Sequence, residues 1–338
     1  MRKTKPGAKD ETIYTISKRA NVSPATVSRV INNYPHVGKE TRVKVLKILS
    51  EYKYFPNNAA RSLATRNSKM VGILIADLRT THHTEGVYFM EQEFAQHGYS
   101  CLIYNTGTNP EKQAEYIGIV GQKQVDAVIL MGSIYQNSTV LDAIITEIPD
   151  IPVALCNGTL YGPNIYCVSS NEKQGVFSCM QILAAKGHRH FVFLVNHDTP
   201  SNRKKIEGFQ EGFQTYVSGG SMSIVETGDT IEDQERNLRK VLVTDPSIDT
   251  LFFAEDFMAL VGLHVLNELQ KKVPEEIAVV GINNSRYSQI SNPALSSLDN
   301  MLYDTSIIAA RNIIEVLKGN HVNKDILIST KFIERKTT

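Results

Sequence analysis

The chain has no tryptophan and only four cysteines, none of them in a CxxC pair. The cysteines are Cys101, Cys156, Cys167 and Cys179. Such usage is typical of a reducing compartment and argues against a disulfide framework or a zinc site. No run approaches the roughly 18 apolar residues that a membrane span needs. The basic first residues lead into no apolar stretch, so we expect no secretory signal, no membrane partner and a cytoplasmic location.

Enzyme signatures are missing as well. The sequence holds no GxGxxG after a predicted strand, no GxxxxGK[ST], no GxSxG and no HExxH. The segment His188-Arg189-His190 offers two imidazoles but lacks a third ligand at a useful spacing. We therefore expect no catalytic residues, no metal and no cofactor.

What the chain does have is an uneven charge. It holds 338 residues, of which 42% are hydrophobic and 21% charged, which is typical of a globular protein of two or three domains. Residues 1–70 carry fifteen Lys and Arg against four Asp and Glu, an excess of eleven positive charges. Residues 71–338 carry an excess of ten negative charges. A small basic segment ahead of an acidic body favours a polyanionic partner, with nucleic acid as the first candidate.

Three short helices are predicted in the basic segment. Thr12 can cap the first, Ser23 can cap the second with Pro24 at its first position, and the third spans about 39–52. Asn21-Val22 is short enough for the tight turn of a helix-turn-helix. The pattern therefore predicts an all-α DNA-binding unit.

The polar face of the second helix fits contact with duplex DNA. Thr26 and Ser28 can donate to phosphates, and Arg29 can reach the acceptors of guanine in the major groove. The alternative is that Arg29 is an ordinary solvated arginine. Its position on a predicted recognition helix favours the interpretation that Arg29 contacts DNA.

From Met70 onward, strands alternate with helices. The run Val71–Ala76 is continuously apolar, as in a strand that is buried on both faces. Further strands are predicted at Cys101–Tyr104, Val125–Met131, Val153–Cys156, Phe191–Val195, Ser223–Glu226, Thr250–Ala254 and Ile277–Ile282. Helices are predicted at Glu85–His97, Glu172–Lys186, Lys204–Tyr216, Ile231–Val243 and Met258–Lys271. This alternation predicts parallel sheets covered by helices, and nearly 270 residues are enough for two lobes.

Several segments resemble one family closely. The headpiece and hinge motifs of LacI/GalR-type transcription regulators are similar to Thr12-Ile13, Asn21-Val22-Ser23, the run 25–32, Glu40-Thr41-Arg42, Tyr54-Phe55-Pro56-Asn57 and Ala60-Arg61-Ser62-Leu63. The resemblance implies an all-α helix-turn-helix headpiece at 11–56, a hinge helix and linker at 57–67, and a two-lobed, periplasmic-binding-protein-like α/β effector domain at 68–338. It places the N-lobe at about 70–168 and 299–319 and the C-lobe at about 169–298 and 320–338. It also implies a homodimer on a palindromic double-stranded operator.

The resemblance further implies which residues contact DNA. They are Thr12, Ser23, Pro24, Ala25, Thr26, Ser28, Arg29 and Asn32 in the headpiece, and Asn57, Ala60, Arg61 and Leu63 in the hinge. Leu63 would wedge between central base steps from the minor groove, at a cost of about a few kcal/mol. Its alternative is a core leucine, which its polar neighbours disfavour. A hinge of one to two turns is marginal alone and would need DNA or its partner to support it.

Small ligands of two-lobed α/β domains bind at the carboxyl ends of the strands. His82 and His83 follow the first strand where the family commonly has two phenylalanines, and Arg79 lies close by. Imidazoles add donors and can carry charge. We therefore expect a more polar or anionic effector, such as a sugar acid or sugar phosphate, in preference to a plain neutral sugar. A loop position or a contact at the start of the next helix is the open alternative.

Other strand ends complete the predicted effector site. Asp256 matches a family aspartate that accepts from effector hydroxyls, or it caps the following helix. Lys205 stands where the family usually has arginine, so Arg203 could take over that contact, and a solvated basic cluster is the alternative. Asn157 and Asn283 follow strands and offer both donors and acceptors.

These features predict a ligand-responsive transcriptional regulator of carbohydrate metabolism genes, most often a repressor in this family. Two other classes of protein fit the sequence less well. A periplasmic-type solute receptor is disfavoured by the basic headpiece, and a sugar-modifying α/β enzyme is disfavoured by the absent catalytic motifs.

Overall fold

The computed structural model describes residues 12–31, 34–52, 54 and 67–338. The chain divides into two compact units, Met1–Ser68 and Lys69–Thr338. No helix in the described part of the chain is long and apolar enough to cross a membrane.

The first unit is the predicted helix-turn-helix. Its helices are α1 (Ile13–Ala20), α2 (Pro24–Ile31) and α3 (Lys39–Glu51). The three helices enclose one small core of Ile16, Ala20, Val27, Val30 and Val45. Apolar positions at helical spacing therefore place the remaining, polar faces outward.

The second unit contains two six-stranded sheets. The N-lobe sheet has the order β11-β5-β4-β3-β1-β2 and the C-lobe sheet has the order β12-β10-β9-β8-β6-β7. Pairing is parallel throughout except where β12 runs antiparallel to β10. The strands are β1 (Met70–Ile75), β2 (Ser100–Asn105), β3 (Ala127–Met131), β4 (Val153–Cys156), β5 (Ile165–Ser170), β6 (His190–Val195), β7 (Ser221–Glu226), β8 (Thr250–Phe253), β9 (Ala278–Ile282), β10 (Ser296–Asp299), β11 (Asp325–Ile328) and β12 (Lys331–Ile333).

Helices cover both faces of each sheet. They are α4 (Thr81–Gln96), α5 (Pro110–Gln122), α6 (Ser138–Glu147), α7 (Glu172–Ala185), α8 (Pro200–Tyr216), α9 (Ile231–Thr244), α10 (Asp256–Glu268), α11 (Arg286–Ile290) and α12 (Leu302–Leu317), with a short 3₁₀ turn at Ser133–Tyr135. In the N-lobe, α4 and α12 pack on one face of the sheet, and α5 and α6 pack on the other. The two-lobed α/β fold is confirmed.

The chain crosses between the lobes three times. It crosses after β5, after β10 and after β11, because these strands and the elements that follow them belong to different sheets. The first two crossings lie within a few residues of the predicted ones. The third was predicted around Gly319 and is wrong: β11 pairs with β5 in the N-lobe, so the crossing falls at 329–330. Gly319, with φ of 85°, ends a helix and does not end the lobe.

Candidate functional site

The helix-turn-helix owes its geometry to two hydroxyl caps. The Thr15 amide donates to Thr12 Oγ1 over 3.3 Å, and the Thr12 amide donates to Thr15 Oγ1 over 2.8 Å. The Thr26 amide donates to Ser23 Oγ over 3.1 Å at the start of α2. Both caps satisfy amides that would otherwise lack a partner, so they fix where each helix begins.

α2 presents a polar face to solvent. Ala25 and Arg29 are exposed, while Val27 and Val30 are buried in the headpiece core. Thr26 and Ser28 are half-buried beside them, and Pro24 is the first residue of the helix. This surface can place a guanidinium and hydroxyls against a duplex. The predicted contacts Asn32, Asn57, Ala60, Arg61 and Leu63 lie outside the described residues.

The two histidines lie in the first turn of α4 and are half-buried. His83 Nδ1 donates to the carbonyl oxygen of Asp77 over 3.1 Å, and Asn300 Nδ2 lies 3.5 Å from His82 Nδ1. Burial lowers the pKa of His82 to about 3, assisted by the charges of His83 and Lys205. Burial also lowers the pKa of His83. Both imidazoles are therefore neutral at pH 7.

Lys205 is a buried residue of α8 in the C-lobe. Its side chain is 7% exposed, and its ammonium donates to the carbonyl oxygen of Ala254 over 3.0 Å and to Asn202 Oδ1 over 3.2 Å. Its third neighbour is Glu172 Oε1, at 3.6 Å. The alternative of a solvated basic cluster is therefore wrong for Lys205.

Glu172, the first residue of α7, was not predicted. Its side chain is 1% exposed, and its Oε2 accepts from Ser201 Oγ over 2.6 Å. Its Oε1 accepts from Asn157 Nδ2 of the N-lobe over 3.4 Å. The rule that ligands bind at strand ends would have found Glu172 if β5 had been identified as a strand.

Polar contacts join the two lobes around this pair. The Ser201 amide donates to Ser133 Oγ of the N-lobe over 3.1 Å. Asn300, at the second crossing, donates through Nδ2 to Asn283 Oδ1 over 2.8 Å. The cleft thus brings together five of the predicted effector residues, namely His82, His83, Asn157, Lys205 and Asn283.

Two predicted cations are held at the surface. Arg79 has a side chain that is 91% exposed and lies 2.7 Å from Asp77 Oδ2. Arg203 has a side chain that is 60% exposed and lies 2.6 Å from Asp198 Oδ1. Asp198 binds Arg203 at the surface, whereas Lys205 is the buried cation of this helix.

Asp256 is buried within the C-lobe. Its Oδ2 accepts from the amide and hydroxyl of Ser285 over 2.6 and 2.8 Å, and its Oδ1 accepts from Ser297 Oγ over 2.6 Å. Burial raises its pKa to about 6. The alternative that it caps a helix is wrong, since it is the first residue of α10 and Glu255 precedes it as the N-cap. Three of its acceptor positions already serve the fold.

Within the described residues, no group of three or more His, Cys, Asp or Glu side chains could hold a metal ion. His188 Nδ1 lies 3.4 Å from Asp249 Oδ1, and His190 Nδ1 lies 2.9 Å from Ser221 Oγ. Each imidazole therefore serves a local contact in its own lobe.

Comparisons with known proteins agree with this architecture. The model of bacterial regulatory proteins of the lacI family matches residues 12–57, and the periplasmic binding protein-like domain matches residues 180–338. An HTH-type transcriptional regulator of Lachnoclostridium phytofermentans is 30% identical, over 96% of this chain and 99% of its own. A ribose operon repressor of Halalkalibacterium halodurans is 28% identical, over 97% of each chain. A lac repressor dimer bound to operator and the anti-inducer ONPF superposes with a TM-score of 0.88 at 21% identity, covering 98% of this chain and 99% of that one.

A helix-turn-helix with a two-lobed α/β domain, whose lobes meet through polar side chains, defines a DNA-binding regulator with an effector domain. The chain belongs to the LacI family of bacterial regulatory proteins. It is accordingly a transcriptional regulator and not an enzyme.

Proposed function

We propose that this protein is a cytoplasmic, homodimeric repressor of carbohydrate metabolism genes. It binds a palindromic operator through α2 and the hinge, and it responds to a sugar or a sugar derivative between its lobes. The relatives that include a ribose operon repressor, and the lac repressor dimer on its operator, support this assignment.

The exposed polar face of α2 carries the DNA-binding part of the proposal. Arg29 is exposed on a helix whose opposite face is fixed in the core by Val27 and Val30. A solvated guanidinium on a rigid helix costs little to bring against a base edge, and a well-placed bidentate contact discriminates by about 1–3 kcal/mol. The eleven excess positive charges of residues 1–70 supply attraction to phosphates that does not depend on sequence.

The side chains between the lobes support the regulatory part of the proposal. Side chains of both lobes meet there, His82 and Asn157 from the N-lobe and Lys205 and Asn283 from the C-lobe. A ligand that contacts both lobes favours one arrangement of them over another. If that arrangement also alters the spacing of the paired hinges, effector and operator binding are coupled reciprocally.

The operator test uses duplexes selected from a random library for binding to the full chain. We expect an inverted repeat, two chains per duplex and an affinity that falls about a thousandfold between 50 and 200 mM salt. Arg29→Ala should weaken specific binding by about 1–3 kcal/mol, whereas Arg236→Ala, a matched change at an exposed arginine of α9, should leave it unchanged. A flat salt response, or equal affinity of the Arg29→Ala variant, would overturn the proposal.

A further inference from the structure

The buried charges of the cleft cancel one another. Lys205 and Glu172 have side chains that are 7% and 1% exposed, and their charged atoms lie 3.6 Å apart. A buried charge is tolerated only when it is paired and hydrogen-bonded. Each therefore depends on the other for its presence in the cleft.

The Lys205 ammonium is largely bound by groups of its own lobe. An ammonium has three donors. The carbonyl oxygen of Ala254 and Asn202 Oδ1 accept two of them, and Glu172 Oε1 lies 3.6 Å from the ammonium nitrogen. An anionic ligand that reached this ammonium would lie beside the carboxylate of Glu172.

The imidazoles of the cleft do not offset an added negative charge. The pKa of His82, about 3, keeps that ring neutral, and the pKa of His83 is lowered as well. Glu255, whose carboxylate accepts from Asn196 Nδ2 over 2.9 Å, lies near enough to act electrostatically on His83 and adds a further acidic group. Arg79 and Arg203 are bound at the surface by aspartates.

A buried acceptor points to the complementary ligand chemistry. Asn300 is 2% exposed, and its Oδ1 has no hydrogen-bond partner among the described residues. Its amide group lies between His82 and Asn283. A buried carbonyl oxygen without a donor destabilises the folded chain, and a ligand hydroxyl would remove that cost.

We propose, on the basis of the effector site proposed above, that Glu172 sets the charge selectivity of the cleft. By neutralising Lys205 it restricts the site to uncharged, hydroxyl-bearing ligands and excludes carboxylates and phosphates. This reverses the sequence-based expectation of an anionic effector, which rested on charged imidazoles and a free arginine.

The first experiment needs neither DNA nor the natural effector. Thermal unfolding of the full chain is followed in inorganic phosphate and in chloride of equal ionic strength. Phosphate stabilises folded proteins in general, so the phosphate effect is taken as the midpoint shift beyond that of the wild type. Glu172→Gln keeps the shape and acceptor oxygen of the side chain but leaves Lys205 without its counter-charge, so phosphate should raise its midpoint by about 2–4 °C. Glu232→Gln, a matched change at an exposed glutamate of α9, should behave as wild type.

A double variant ties the effect to the pair. In Glu172→Gln combined with Lys205→Met both charges are gone, so the phosphate effect should disappear. A wild-type chain that phosphate stabilises more than it stabilises the double variant, or a double variant that responds as strongly as Glu172→Gln, would overturn the proposal. If Glu172→Gln alone is too unstable to measure, the wild-type results decide.

The second experiment titrates matched sugars calorimetrically. Each set holds a neutral pentose or hexose, the corresponding aldonate and the corresponding phosphate. The wild-type chain should bind a neutral member at least about tenfold more tightly than its anionic counterparts, since two like charges in a buried site repel. A panel in which acids or phosphates bind as well, or in which no neutral sugar binds, would overturn the proposal. Loss of operator binding would overturn the proposed function alone and leave the charge selectivity standing.

Discussion

At the residue scale, Asp256 links pH to the stability of the C-lobe. The residue is 1% exposed, and burial raises its pKa from 3.8 to about 6. Between these values the unfolded chain loses its proton while the folded chain keeps it, so stability is present below pH 4 and is lost as pH rises to 6. A difference of about two pKa units corresponds to about 3 kcal/mol.

The prediction compares wild type with Asp256→Asn, which cannot ionise. Urea unfolding at pH 4 and pH 7 should show that wild type loses about 2 kcal/mol more than the variant over this interval, because part of the difference already lies below pH 4. Asp198→Asn is the control with the opposite sign, because Arg203 lowers the pKa of Asp198. If wild type and Asp256→Asn lost the same free energy of unfolding between pH 4 and pH 7, this account of the buried carboxyl would be contradicted.

The choice between Lys205 and Arg203 shows how much of the candidate site can be predicted from the sequence. Lys205 and Arg203 are two residues apart on one helix, and composition alone could not decide which cation enters the cleft. Ser201, Lys205 and Gly208 share one buried face at spacings of four and three. That periodicity was available and would have selected Lys205 over Arg203. Arg203 donates to Asp198, and this contact depends on the conformation of the turn before α8, which the sequence does not predict.

At the element scale, Gly208 lets α7 and α8 meet at their backbones. A β-carbon placed at Gly208 would lie 2.1 Å from the carbonyl oxygen of Lys173. Because Lys173 follows Glu172 and Gly208 follows Lys205 by three residues, this contact also holds the buried ion pair together. The Lys205–Glu172 ion pair therefore requires the close approach of α7 and α8.

Gly208→Ala should therefore destabilise the chain by about 1–3 kcal/mol despite the better helix propensity of alanine. Gly118→Ala on α5 is the matched control, because its nearest neighbours are atoms of the Glu147 side chain at 3.9 and 4.0 Å. That change should be neutral or stabilise by up to about 1 kcal/mol. Chemical denaturation of both variants measures the difference, and equal stabilities would refute the close-packing argument.

Elements with continuous apolar runs were predictable, and polar buried ones were not. β1 and β9 were identified within a residue or two because every side chain in them is apolar or glycine. β10 contains Ser296 and Ser297, both fully buried, whose hydroxyls bond to Thr338 and Asp256. A buried strand that satisfies its polar groups internally leaves no hydrophobic periodicity to detect. β11, a short edge strand with alternating exposure, was missed for the related reason that an edge needs little burial.

At the scale of the whole molecule, one ion pair spans the two lobes outside the buried network. Arg286 Nε of α11 lies 2.6 Å from Glu85 Oε1 of α4, with side chains 79% and 18% exposed. Glu85 follows His83 by two residues and Arg286 follows Asn283 by three, so the pair lies close to the cleft residues in both lobes. An exposed ion pair contributes only about 0.2–1 kcal/mol. This is enough to favour the arrangement in which the two lobes are in contact, but not enough to determine it alone.

Arg286→Glu places a second carboxylate opposite Glu85 and should favour separated lobes. A ligand that needs both lobes should then bind about two- to fivefold more weakly, with a smaller effect at high salt. Combining Arg286→Glu with Glu85→Arg restores opposite charges and should restore affinity. Lys186→Glu breaks an ion pair within the C-lobe, between Lys186 and Glu334 at 2.8 Å, and should leave ligand affinity unchanged. Calorimetry on the four chains measures the coupling, and a double variant as weak as Arg286→Glu would show that the pair does not join the lobes in solution.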